Sequence, residues 1–285
     1  MQRLCQVLNV PASGFYAWPA GQQRAVGERE TPAWETALVQ VFNVHKRRYG
    51  TRRLQGALRQ KGHRVGRQRL RTARRRQGLY ARQPKAYTPR TTDSTHGLRG
   101  APNRLLDQPK PTQANRVWVS DSTYLPLADG TWAYLCAFQD VASKQVLGCH
   151  GAATMPEELG TTALQRAFLA QPPTLELLVH SDRGGQSCGN AYQQLLRDHK
   201  ALRSQSRRGD CYDNAQAASL WSRFKTEEPE RREWPVFADL ADAQASAATY
   251  FDYYHHHRLH SSSGYLIPYI AHQQLLQTTA LNCPA

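Results

Sequence analysis

An α/β body carried behind a helical, arginine-rich arm and closed by a helical tail is the fold class this sequence predicts. Three observations carry it. From Asn115 onward short apolar runs alternate with amphipathic stretches, the texture of a mixed sheet flanked by helices. Before that point the periodic stretches are helical and crowded with arginine. Charge divides the chain in the same place: residues 1–110 carry roughly +18 and the remainder is slightly acidic, although the whole chain sums to +15.

The 285 residues have room for one large domain or two to three small ones. A pI near 9.9 favours a polyanionic partner, nucleic acid before membrane, with a ribosomal or merely basic protein as the competing reading. No run of about 18 apolar residues is present, so no transmembrane helix and no membrane partner is expected. The opening MQRLCQVLNV lacks the apolar core and cleavage site of a secretory signal. The cysteines Cys5, Cys136, Cys149, Cys188, Cys211 and Cys283 are scattered without a C-x-x-C pair. That argues against a zinc or disulfide framework and for reduced thiols in the cytoplasm.

Residues 1–33 form the first expected unit. Leu4, Val7 and Leu8 have helical spacing, Asn9-Val10-Pro11 breaks it, and Ser13 precedes Phe15, Tyr16 and Trp18. Helix, tight turn, helix suits a helix-turn-helix unit, and equally a small hairpin with no DNA role. Gly21 to Thr31 reads as a connector. Residues 34–82 form the second unit and the stronger DNA-binding candidate. Trp34 to Val44 is a helix with Trp34, Leu38, Val39 and Phe42 on one face. Thr51 is a plausible N-cap for a helix through Gln60, and Lys61 to Gly66 makes a turn. Arg67 to Arg76 is a second helix with Leu70 and Ala73 inward, leaving Arg67, Arg69, Arg71, Arg74, Arg75 and Arg76 mostly outward for phosphate contact. Residues 83–113 are rich in Pro, Thr, Gly and basic residues without periodicity, an extended linker expected to track a DNA backbone.

The α/β body spans 114–232. Arg116 to Tyr124, Thr131 to Gln139 and Lys144 to Gly151 read as a meander of three strands. Helix is expected at Glu157 to Leu169, strand at Leu175 to Val179, helix at Asn190 to His199, strand at Leu202 to Ser206 and a closing helix at Asp213 to Glu227. Residues 233–285 are a helical extension with a stretch at Val236 to Tyr254.

Two apolar runs end in a carboxylate. Arg116 to Ser120 leads to Asp121, and Leu175 to Val179 leads through HSDRGGQ to Asp182. A single Asp at a strand end is ordinarily a turn or cap residue. Two of them, opposite the helix from Asp213 and behind a basic arm, suit a site for DNA strand chemistry. Such chemistry needs charge stabilised on attacking and leaving oxygens, which two Mg²⁺ ions about 4 Å apart on hard oxygen ligands provide, Mn²⁺ being a possible substitute.

WVSDSTY around Asp121, HSDRGGQ around Asp182, SRRGDCYDNAQAAS running into Ser219, the opening YGTRRL and the closing HRLHSSSGY resemble insertion-sequence transposases of the IS-three group. They are similar to the second-reading-frame product, a relative of retroviral integrases, along nearly the whole chain. The resemblance implies a ribonuclease-H-like catalytic domain with an Asp, Asp, Glu triad binding Mg²⁺, and DNA cut-and-join chemistry on element ends. It also implies upstream helix-turn-helix units, at least two copies acting together and a possible first-reading-frame partner. Asp121 and Asp182 match the first two acids as metal ligands. The third falls inside a motif like DNAxAES, and here that position is Ala218. Candidate DNA contacts on these motifs and on the arm are Arg52, Arg53, Arg67, Arg69, Arg71, Arg74, Arg75, Arg207, Arg208, Asn214, Lys225, Arg258 and His260.

No neighbour replaces the missing acid on helical geometry. Glu227 lies about 180° around the helix from position 218 and Glu228 about 80° off and nearly three turns along. Asp213 is better used as the helix N-cap. Asn214, Ala218, Trp221 and Lys225 share one face. Near the C-terminus the family motif is like YN-x-x-R-x-HS-x-LGY, whereas Tyr254 is followed here by His255 and Ser263 precedes Gly264. The histidines at 255, 256, 257 and 260 point apart on one turn, which suits surface or DNA-contacting roles over a metal site. The expected function is a DNA transposase subunit, inactive as written. A non-catalytic repressor or scaffold is the alternative, and a ribonuclease-H-type nuclease leaves the arm unexplained.

Overall fold

The structure is a computed structural model and describes residues 31–83, 100–106, 108–172, 176–208, 210–228 and 236–281, with Cys5, Val7, Pro11 and Ser13 singly. The expected first helix-turn-helix unit lies almost wholly outside the described residues, as does the linker from 84 to 99. Among the described residues no helix is long and apolar enough to cross a membrane.

Three helices form the arm: α1 (Ala33–Val44), α2 (Thr51–Gln60) and α3 (Arg67–Arg76). Leu38, Val41, Phe42, Leu54, Leu58 and Leu70 bury against one another at helical spacing. Thr51 is not the cap of α2. Gly50 occupies that position, and the Thr51 hydroxyl instead accepts Arg74 Nη1 at 2.7 Å. The three-helix core is small and is completed from far along the chain by Leu259, Tyr265 and Ile267. Tyr265 lies so close over Gly56 that a Cβ there would sit 2.6 Å from the ring, which explains a glycine inside α2.

The body is a five-stranded sheet ordered β3 (Val146–Ala152), β2 (Trp132–Asp140), β1 (Val117–Pro126), β4 (Leu178–Ser181), β5 (Leu202–Gln205). The first three strands are antiparallel, and β4 and β5 run parallel to β1. This is the mixed sheet expected of a ribonuclease-H-like domain. One face is covered by α4 (Glu157–Ala170) and α5 (Asn190–Asp198) through Trp118, Phe138, Val179, Leu159 and Leu196. Small residues bring α4 close. A side chain on Gly148 would strike the backbone of α4 at Ala163 and Ala167. The other face is covered by α6 (Ala215–Glu227) and α7 (Leu240–His256), where Leu125, Leu135, Leu220, Trp221, Phe224, Tyr250 and Tyr254 pack together. The C-terminal segment is therefore half of a core and no appendage, and α8 (Pro268–Leu281) follows it.

Two expectations change. Asp121 does not end a strand, since β1 runs on to Pro126 paired with β2. The apolar run from Val117 to Ser120 marks where β1 has a strand on both sides, and alternation sets in at Asp121 because β4 stops at Ser181. The linker also departs from its expected path at residues 100–106. Gln205 N donates to Pro102 O, Ala101 N to Gln205 Oε1 and Arg104 N to Ser204 Oγ, so this segment lines the β5 edge.

Arm, body and tail meet at Glu227, the last residue of α6. Arg258, 1% exposed, donates Nε to Oε2 at 2.8 Å and Nη2 to Oε1 at 2.7 Å. Arg53 of α2 donates to Oε1 at 3.1 Å and Tyr250 Oη to Oε2 at 3.1 Å. Arg48 binds the Glu227 carbonyl at 2.9 Å and Glu228 at 3.0 Å. Burial alone would push the Glu227 carboxyl up, but the bonds and charges of Arg258 and Arg53 hold it down at about 2. Replacing Glu227 with Gln strands buried Arg258 and should cost roughly 3–5 kcal/mol in denaturant unfolding at pH 7. The stabilisation is present above the ordinary value of 4.5 and lost as pH falls toward 2, so the gap between the variant and the parent should shrink across that window. Gly56→Val should cost about 1–3 kcal/mol by displacing Tyr265, read in the same assay.

Candidate active site

The site forms where β1 loses its parallel neighbour. Ser120 opposite Ser181 is the last register pair between β1 and β4, so Asp121 and Asp182 follow side by side. They share a small cavity with Ser120, Ser122, Ser181 and Ser187. Burial, then the charge of Asp182, pushes the Asp121 carboxyl up to about 7. The Ser122 amide, donating to Asp121 Oδ1 at 2.8 Å, and the Lys225 charge oppose the shift.

The loop carrying Asp182 is held by groups that sequence reasoning passed over. The Asp182 carbonyl accepts Ser181 Oγ at 3.0 Å, Ser187 Oγ at 2.9 Å and Gln205 Nε2 at 3.4 Å. His180, in the same motif, is buried between Ser204 Oγ at 2.9 Å and Ser206 Oγ at 3.4 Å, and burial lowers its pKa to about 4. It is a neutral structural imidazole behind the strand end.

Helix α6 faces the pair. Asn214 Nδ2 donates to Ser120 O at 2.9 Å and Trp221 Nε1 to Asp121 O at 3.0 Å. Ala218 lies four residues after the first anchor and three before the second, so it occupies the helix face turned to β1, and it is exposed. A methyl group stands there. About two turns on from Ala218, Lys225 Nζ lies 4.9 Å from the Tyr124 ring centroid; burial lowers its pKa while Asp121 opposes the shift. Among the described residues no group of three His, Cys, Asp or Glu side chains converges as a metal site.

Several expected contacts occupy other places. Asp213 does not cap α6. It accepts Arg207 N at 2.9 Å, Arg207 Nε at 3.0 Å and Asn103 Nδ2 at 2.9 Å, and these bonds hold its pKa at about 2. Arg207, exposed, also pairs with Asp210 at 2.6 Å, and Arg208 beside it is exposed. Asn214 is buried on β1 and Arg53 Nη1 is bonded to Glu227, so both are engaged in contacts within the chain. The same holds for Arg258 and for His260, which accepts Arg258 Nη1 at 2.8 Å and whose pKa burial drives far down. Arg74 is half-buried, bonded to Thr51 and to Leu79 O. Arg52, Arg67, Arg69, Arg71 and Arg75 are exposed, with the Arg69 guanidinium 5.2 Å from the Trp34 ring centroid. The remaining histidines do not converge either: His255 Nε2 accepts Val146 N at 3.1 Å, and His256 sits against Tyr269.

Comparison with known proteins agrees with this geometry. Residues 111–211 and 200–268 match integrase core domain families, and residues 34–87 match an HTH-like domain. Fold and site thus define an integrase-core protein with a helical DNA-binding-type arm. The chain is 34% identical over 267 residues to the uncharacterized 31 kDa protein of insertion element IS600 from Shigella sonnei, covering 93% of this chain and 96% of that one. It is 32% identical over 228 residues to transposase InsF of insertion sequence IS3A from Escherichia coli strain K12, covering 80% and 78%. The chain belongs to the IS3 family of insertion-element transposases. Among solved structures, the HTLV-2 integrase catalytic core domain in complex with magnesium aligns over 56% of this chain and 97% of that chain, with a TM-score of 0.42 and 12% identity.

The raised pKa of Asp121 has a measurable consequence. The unfolded carboxyl releases its proton near 3.8 and the folded one near 7, so stability falls as pH rises through that interval and is level above it. Asp121→Asn should therefore raise Tm at pH 8 and leave it nearly unchanged at pH 4, as followed by calorimetry.

Proposed function

We propose that this chain is a transposase subunit that binds the terminal inverted repeats of an insertion element through its arm and presents them to the pair Asp121 and Asp182. The observation that carries the reading is the adjacency of those carboxylates beside a helix pinned to Ser120 and Asp121 by Asn214 and Trp221. Two adjacent, half-buried and mutually repelling carboxylates fit a hard divalent cation, which relieves both the desolvation and the repulsion acting on Asp121. When bound there, Mg²⁺ supplies Lewis-acid stabilisation of a phosphoryl oxygen and an activated oxygen nucleophile, water or a terminal 3′-hydroxyl.

The protein's own groups do the positioning. Lys225, half-buried beside Asp121, offers an ammonium to a phosphate next to the scissile one. Exposed Arg52, Arg67, Arg69, Arg71 and Arg75 neutralise backbone phosphates on the arm, and Arg208 does so near the site. Joining two ends to a target calls for at least two copies on DNA. The methyl of Ala218 supplies no oxygen, so a second cation is weakly held and the chain binds DNA without cutting it. That same methyl favours a second reading, a repressor or scaffold descended from a transposase, in which the arm and fold persist for binding alone.

Restoring the acid separates the two. Ala218→Glu should bring Mg²⁺-dependent nicking of duplexes carrying the element's ends up by about two orders of magnitude or more. Adding Asp121→Asn to that variant should abolish the gain. A restored variant that binds end DNA and never nicks it would leave the scaffold reading standing.

A further inference from the structure

Beyond the two aspartates, the far part of β1 and the start of β2 carry an aromatic pair that the carboxylate chemistry does not use. Trp132, the first residue of β2, is 42% exposed, and its ring meets Tyr124 edge-on with centroids 4.8 Å apart at 81°. Lys225 covers the Tyr124 ring at 4.9 Å, and its charge is also felt at Asp121. Single exposed aromatics are ordinary on protein surfaces. This one is held in a fixed orientation by a tyrosine, and that tyrosine is tied through one ammonium to the carboxylate site.

From these contacts we infer that Trp132 and Tyr124 form a stacking platform for unpaired bases of the DNA strand whose phosphate lies at Asp121. Tyr124 is three residues beyond Asp121, about 10 Å along β1. Stacked nucleotides advance about 3.4 Å each, so the platform meets the base about three nucleotides from the phosphate at the aspartates. Beyond Ser120 the strand has no β4 neighbour, which leaves room for a single strand to cross from the carboxylate side to the aromatic side. Lys225 then neutralises the phosphate between the two while the bases lie on the indole. Aromatic faces accept any base, so the platform recognises the unpaired state of the end and not its sequence.

The inference rests on the DNA-processing reading above, and its test keeps the two apart. The unmodified chain is titrated, by fluorescence anisotropy at fixed salt, with one short duplex in blunt form and with the same duplex bearing an overhang of about three thymidines. The parent should bind the overhang form about 10-fold more tightly. Trp132→Ala should bring the ratio of the two affinities close to one, and Trp132→Phe, which keeps an aromatic face, should retain most of it. A 2-aminopurine in the overhang should be quenched by the parent and by Trp132→Phe, and not by Trp132→Ala. A parent with equal affinity for both duplexes, or a Trp132→Ala variant that keeps the preference, overturns the platform and leaves DNA binding intact. No binding to either duplex overturns both readings.

Discussion

The arrangement depends on one buried carboxylate. Glu227 gathers Arg258 from the tail, Arg53 from the arm and Tyr250 from α7, while Arg48 and Arg82 reach its carbonyl. Each of those groups is costly to bury alone, and together they satisfy one another. Because Glu227 is also the C-terminal residue of α6, the network fixes the end of the helix that faces Asp121. Tyr49 extends it, donating to His257 O at 2.9 Å and accepting Leu259 N at 2.8 Å. Arm and body thereby share a polar seam, with Leu259 and Tyr265 closing the arm's apolar core beside it.

The site is built by subtraction. β4 ends early, the sheet opens after Ser120, and at the start of that opening Asn214 and Trp221 bond to the main-chain carbonyls of Ser120 and Asp121. Anchoring a helix by its neighbours at one turn on each side leaves the intervening position geometrically fixed whatever residue occupies it. Position 218 therefore keeps its place beside β1 with an alanine in it. Electrostatics tell the same story from the opposite side, since two carboxylates sit close together with Lys225 as the cation whose field reaches Asp121.

Much of this was legible in the chain. Helices α1, α2 and α3 and the succession of five strands along the chain followed from periodicity, because apolar spacing reports which face is buried. What escaped were groups whose partners lie far away in sequence. Arg53, Arg258 and His260 have the composition of DNA ligands, and nothing local reveals that Glu227 claims the two arginines and that His260 then binds Arg258. Asp121 was placed at a strand end because a run buried on both faces stops there, whereas the backbone continues as a hairpin. Thr51 and Asp213 failed as caps for a related reason: arginines 23 and six residues away in sequence compete for the same oxygens.

Gln205 ties the segment at 100–106 to the turn that carries Asp182. Its amide oxygen takes the Ala101 N–H at 2.8 Å, while its nitrogen reaches Ser187 Oγ at 2.9 Å and the Asp182 carbonyl at 3.4 Å. The segment descending from the arm thus also shields an outer strand whose bare backbone would invite pairing with another sheet. Peeling it away would expose that margin and free the Gln205 amide oxygen, loosening one of the side chains that steady the turn bearing the second aspartate.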